Sequence, residues 1–201
     1  NPRSQPSRRD CLIMNASNLF AEGGYEGTTI RKIARSCGIT EAAIYKHFES
    51  KEALYEAVIQ KKSRRHEITD YLAGKQGQGG IEDVLRCIAE HILNTTHEDP
   101  ELMRMLLYSS LEGFRGADLL FKEFRVPYIS FLREELRDRM ESGELRRVNP
   151  FITSRCFVGM VMDCAVNVEL WNHLDSTSFS TQEVVANNVP LFARGLLSEE
   201  A

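Results

Sequence analysis

The sequence predicts an all-α protein: an N-terminal three-helix domain built around a helix-turn-helix, followed by a larger helical domain. Three observations carry this. Helix start and stop signals recur along all 201 residues, no sustained run alternates polar and apolar residues, and charge is divided unevenly between the two ends.

The elements follow from this punctuation. Ser7 with Asp10 opens a helix whose apolar face is Leu12, Ala16, Leu19 and Phe20, and Gly23-Gly24 stops it. Thr28-Thr29 opens a short helix through Ile30, Ile33 and Ala34 that ends at Gly38, and Thr40 opens a second carrying Ile44. Ser50 starts a longer helix with Leu54, Val58 and Ile59 inward and the basic run Lys61 to Arg65 near its end, where cations suit the helix dipole. The stretch 74–80 is rich in glycine and lacks the Lys-Ser/Thr ending of a phosphate loop, so it is expected to be a mobile connection between domains. Further helices are expected over about 81–96, from Asp99-Pro100 to 112, over 118–141, from Asn149-Pro150 to His173, and from the Ser180/Glu183 capping box to about Leu197. Pro127 and Pro190 fall inside two of these patterns and are expected to kink or split them.

Several classes are excluded as expectations. Charged residues interrupt the apolar stretches before a spanning length of roughly 18 residues, and the polar, basic start lacks a signal-peptide core. No membrane partner is therefore expected. The five cysteines are odd in number and scattered, with no Cys-x-x-Cys and no Cys/His cluster, which fits a reducing cytoplasm and no metal. No nucleophile elbow or metal-binding His pair occurs, and no cofactor motif. The chain is expected not to be an enzyme.

The net charge of −4 argues against nucleic acid only while it is averaged. Residues 1–65 hold twelve Lys/Arg and seven Asp/Glu, hence +5, whereas the remaining thirteen and twenty-two give −9. The basic share coincides with residues 30–48, where Ala34, Gly38 and Ile44 have helix-turn-helix spacing: a small residue for a close crossing, and a glycine for the positive φ of the turn. Thr40, Glu41, Ala42, Tyr45 and Lys46 are left facing outward on the second short helix. In such motifs that helix enters the major groove. Glu41 suits cytosine N4, Ala42 a thymine methyl and Lys46 guanine. Thr29, Tyr45, His47 and Lys51 suit phosphates, and Arg3, Arg8 and Arg9 form a basic arm.

The segment Phe20-Ala21-Glu22-Gly23-Gly24-Tyr25-Glu26-Gly27-Thr28-Thr29-Ile30, with Ile33-Ala34, Gly38-Ile39-Thr40, Ile44-Tyr45-Lys46-His47-Phe48 and Ser50 to Leu54, resembles the TetR family of bacterial transcriptional regulators. The likeness covers about Arg8 to Leu54. It implies a DNA-binding domain over 1–54, a connecting helix over about 51–71, and a ligand-binding and dimerising domain over 72–201. By the family pattern Thr29, Thr40, Tyr45, His47 and Lys51 contact the DNA backbone. Glu41, Ala42 and Lys46 fall at variable base-reading positions.

In the body, Phe151 to Trp171 is apolar nearly all round, as a helix buried on several sides would be. Phe157 and Val161, with Val185, Val189, Phe192 and Leu196 on the last helix, are expected to form the interface of a homodimer. Aromatic and polar residues within the apolar runs are expected to line an effector pocket: His91, Tyr108, Phe124, Tyr128, Asp163 and Asn167. Asp163, set among Val161, Met162, Ala165 and Val166, is expected to need a buried partner. The expected partners are thus a double-stranded operator, a second copy and an unidentified small effector that releases a repressor from a palindrome. The alternatives are control by a protein partner, or a helical carrier or enzyme using the body pocket.

Overall fold

A computed structural model of the chain describes residues 7–113, 115–171 and 179–198. Arg3, Phe114 and the expected helix end at His173 lie outside them. Among the described residues eleven α-helices run in order: α1 Arg8–Gly23, α2 Ile30–Ser36, α3 Glu41–Tyr45, α4 Lys51–His66, α5 Ile68–Ala73, α6 Ile81–Glu98, α7 Pro100–Glu112, α8 Arg115–Phe124, α9 Val126–Glu141, α10 Pro150–Val166 and α11 Thr181–Arg194. A π-helical turn, Asn167–Trp171, extends α10. Among the described residues the sole β feature is an isolated bridge between Leu145 and Leu197.

The chain forms two compact units that do not follow its order: residues 1–66 with 101–123, and residues 67–100 with 124–201. The first is therefore larger than an N-terminal domain ending at residue 54, because α7 and most of α8 join it. The expected single connecting helix over 51–71 is two helices. Glu67 between them has φ +45°, the one left-handed non-glycine backbone among the described residues, and it interrupts the helical hydrogen bonding where the units meet in sequence.

In the first unit α1 packs on α2 and α4, and α2 on α3. Phe20, Ile33, Ile44 and Leu54 are fully enclosed, and Phe20, Tyr25 and Tyr55 form an aromatic cluster with centroids 4.8–6.0 Å apart. Helices of seven and five residues cannot persist alone, and this packing supplies what their length does not.

In the second unit α10 is the central helix, packed on α6, α9 and α11. Together with its π-turn it is long and apolar enough by composition to cross a membrane, contrary to the sequence expectation. Here one side lies in the protein's own core through Phe157, Val158, Val161 and Ala165. Pro127 resolves the expected helix over 118–141 into α8 and α9, sitting in the first turn of α9 where a missing N–H is harmless. Pro190 lies inside α11 without ending it.

The glycine-rich stretch 74–80 is not an interdomain connection. It belongs to the second unit and is pinned to α9: Gly77 N–H donates to Glu135 Oε1 at 2.7 Å, and Arg139 Nη2 donates to the Gly79 carbonyl at 2.9 Å. Arg139, 9% exposed, also reaches Glu135 Oε2 at 3.2 Å and Glu144 Oε2 at 2.7 Å. Glu135 is 4% exposed, so this charge cluster is buried and mutually satisfied. Arg139→Met strands Glu135, and a loss of about 3–5 kcal/mol in this unit is expected. Urea unfolding followed by Trp171, the single tryptophan, checks it, and Glu135→Leu added to Arg139→Met is expected to restore most of the loss.

Candidate nucleic-acid interface

The helix-turn-helix is built by side chains that close its backbone. Thr29 caps α2 by accepting from Lys32 N–H at 3.2 Å, and Thr40 caps α3 by accepting from Ala43 N–H at 3.3 Å. Gly38, at φ +65°, turns the chain between them, and Ile39 N–H returns to the Ala34 carbonyl at 3.0 Å. Ile44 is the buried anchor of α3. Thr29, Thr40, Glu41, Ala42, Tyr45, Lys46 and His47 are all exposed, with Tyr45 at 52%. They supply hydroxyl, carboxylate, methyl, ammonium and imidazole groups on one small motif. Arg31 and Arg35, one turn apart on α2, are exposed beside them and add basic groups that sequence reasoning passed over.

Lys51 is placed differently from the expectation. Its ammonium donates to the carbonyls of Tyr25 and Thr28 at 2.9 and 3.0 Å and lies 3.8 Å from the centre of the Tyr25 ring. Two of its three donors are therefore spent on the α1–α2 turn, which leaves one for a phosphate. The next residue, Glu52, accepts from the Tyr25 hydroxyl at 2.5 Å. That bond holds the Glu52 carboxyl below its usual range, while burial first and Glu52 second push the Tyr25 phenol up. Arg8 is exposed, and Arg9 lies over the Phe48 ring at 4.8 Å, tied to the head rather than extending as an arm.

The body residues divide. His91 Nδ1 and the Tyr128 hydroxyl share a 2.7 Å hydrogen bond, and the Tyr71 ring stacks on the imidazole at 4.0 Å. Cys87 Sγ donates to the Tyr71 hydroxyl at 3.5 Å, completing a polar chain across α5, α6 and α9. Burial raises the pKa of Tyr71, Cys87 and Tyr128 alike. Phe124 is buried in the same unit. Tyr108 is not there at all: it belongs to the first unit, where its hydroxyl donates to the Glu22 carbonyl at 3.0 Å. Asp163 is exposed, and Asn167 Nδ2 donates to its carboxylate at 3.3 Å, so the expected buried charge does not exist. A groove of about 340 Å³ between α6 and the start of α11 is lined by Arg86, Glu90, Leu93 and Asn94, and by none of His91, Tyr108, Phe124, Tyr128, Asp163 and Asn167.

Of the expected dimer residues, Phe157, Val161, Val185, Val189 and Leu196 are buried within the protomer rather than exposed for a partner, and half-buried Phe192 packs on Phe157 with centroids 5.0 Å apart.

An outward-facing, capped helix-turn-helix on a helical body defines the chain as a DNA-binding transcriptional regulator. Residues 12–58 match the family model described as "Bacterial regulatory proteins, tetR family". It is 26% identical over 183 residues to the HTH-type transcriptional regulator UidR of Escherichia coli (strain K12), covering 88% of this chain and 89% of that one. Its fold is that of AibR, solved with isovaleryl coenzyme A and operator DNA (TM-score 0.70, 22% identity, 92% and 97% of the two chains). It is also that of FadR from Bacillus subtilis, solved with stearoyl-CoA (TM-score 0.72, 17% identity, 92% and 97%).

Two outcomes follow from the head's geometry. Lys46→Ala is expected to change which sequence is preferred, whereas Tyr45→Ala weakens all sequences alike; binding to a randomised duplex pool, sequenced after selection, separates the two. The Tyr25–Glu52 bond contributes stability that is present above the ordinary carboxyl pKa and drains as pH falls through the depressed Glu52 value. The destabilisation by Tyr25→Phe is therefore expected to be full at pH 7 and to shrink in acid, as urea midpoints at the two pH values would read.

Proposed function

We propose that this chain is a ligand-responsive repressor, acting in the cytoplasm, that binds a palindromic operator as a homodimer and leaves it when a small amphipathic effector binds. The observation that carries the reading is the exposed row Thr40, Glu41, Ala42, Tyr45, Lys46 and His47 on a motif closed by its own caps. The charge division supports it: a head of +5 approaches DNA while an acidic body is repelled, so only the motif docks.

The complexes of AibR and FadR with acyl-CoA molecules support an effector having an apolar chain and an anionic head. In this chain the second unit offers His91 and Tyr128 as a polar pair beside buried apolar residues, a combination that orients such a ligand. Dimerisation is assigned to the outer side of the last two helices, where Ile152, Cys156 and Asp163 on α10 and Asn187 and Leu191 on α11 are exposed. Ile152 at 57% and Leu191 at 69% are large apolar side chains left in water by the single protomer. Two heads must reach half-sites about 34 Å apart, so an effector that alters their spacing ends simultaneous contact.

The test is fluorescence anisotropy on a duplex enriched by the protein from a random pool, with isovaleryl-CoA and stearoyl-CoA added. Release by an acyl-CoA supports the scheme, and release by neither removes that effector class. Ile152→Asp combined with Leu191→Asp is expected to give a monomer on sizing and to weaken operator binding by about a hundredfold or more, since tethered binding of two heads is lost. Leu111→Asp, at a residue 86% exposed on α7, is the control that leaves both unchanged.

A further inference from the structure

We infer that Glu112, eighty-odd residues away in sequence, is a positioning residue for DNA binding, its carboxylate setting the turn that aims the helix-turn-helix. The inference rests on the reading of the chain as a DNA-binding regulator and adds to it a part of the machinery outside the N-terminal domain. Tyr25 N–H donates to Glu112 Oε2 at 3.0 Å and Glu26 N–H donates to Oε1 at 3.2 Å. Each oxygen thus takes one of two consecutive backbone donors just past the end of α1, a two-point grip that fixes both position and orientation.

The surroundings are shaped for this grip. Gly24 adopts φ +69°, and a Cβ there would overlap the Glu112 carboxylate, so the turn approaches α7 as closely as only glycine allows. One turn earlier on α7, Tyr108 donates its hydroxyl to the Glu22 carbonyl at 3.0 Å. At the other end of α7, Glu101 accepts from Ser17 Oγ at 3.0 Å and faces Lys62 Nζ at 3.4 Å. Helix α7 is thereby fastened along α1 within the first unit.

The opposite side of the turn is held by the other sign of charge. Lys51 takes the carbonyls of Tyr25 and Thr28, while Glu112 takes the N–H groups of Tyr25 and Glu26. The next residue after this doubly gripped segment is Thr29, the cap of α2 and an expected phosphate contact. A shift of the turn is therefore a shift of the motif's first contact with DNA. The carboxylate itself touches no base or phosphate in this scheme. It acts through Tyr25 and Glu26.

The test uses the full chain and a duplex enriched by the wild type from a random pool. Titration at protein concentrations far above Kd gives the active fraction, anisotropy gives the affinity, and hydrogen exchange reads the Tyr25 and Glu26 amides. In Glu112→Ala, affinity is expected to fall about tenfold, the loss of roughly one charge-assisted hydrogen bond, with an unchanged active fraction and faster exchange at those two amides. Glu112→Gln, which keeps one acceptor oxygen, is expected to fall between the two. Wild-type affinity in both variants overturns the inference, as does a weakening wholly accounted for by lost active protein. If the wild type itself enriches no sequence, the regulator reading fails, and this inference with it.

Discussion

Everything the head does depends on a turn of four residues, Tyr25 to Thr28, gripped by an ammonium on its carbonyls and a carboxylate on its N–H groups. A turn between helices has few hydrogen bonds of its own, and its backbone groups lie past the end of α1 where no helical partner exists. Lys51 and Glu112 supply the partners from α4 and α7. The Tyr25 ring, enclosed with Phe20 and Tyr55, gives the same residue an apolar anchor. The five-residue α3 then needs only Ile44 and the Thr40 cap, because the platform beneath it is already fixed.

The second unit uses the same device for a different end. Its glycine-rich stretch is too poor in side chains to pack, and Glu135 and Arg139 on α9 hold it by its backbone. The Arg139–Glu135 pair is buried, so neither can lose the other without leaving a charge unpaired. In both units the irregular backbone is held by charges borne on regular helices, which leaves the apolar residues free to form cores. The polar chain from Cys87 through Tyr71 to His91 and Tyr128 links side chains of three helices.

What the sequence discloses divides along physical lines. Caps and turn glycines act within a few residues, so Ser7, Thr29, Gly38, Thr40 and Ser180 announce their helices by local spacing. The exposed row of α3 follows from the same periodicity. Facing is harder to read on α10, because a helix apolar all round gives no phase: Phe157 and Val161 look outward-bound in sequence and are inward in space, while Asp163 is the reverse. Hardest are contacts between distant segments. Nothing near Glu112 or Tyr108 in sequence indicates that they serve Tyr25 and Glu22, and a glycine-rich stretch reads as mobile until Arg139, sixty residues on, is seen to hold it. The left-handed Glu67 has no local signal either, since glutamate favours the helix it interrupts.

The strength of the grip on the turn suits regulation better than a hydrophobic contact would. Allosteric coupling between sites amounts to about 1–3 kcal/mol, and a hydrogen bond to a charged group contributes about 1.5–3 kcal/mol. Releasing one or two such bonds therefore changes DNA affinity by a useful factor while the core around Phe20, Ile33 and Leu54 stays intact. An apolar interface of comparable extent would resist small displacements and then fail as a whole, because close-packed contacts lose their attraction together. Charge-assisted bonds to a backbone turn depend steeply on geometry, so a shift of about an ångström in α7 is enough to weaken them.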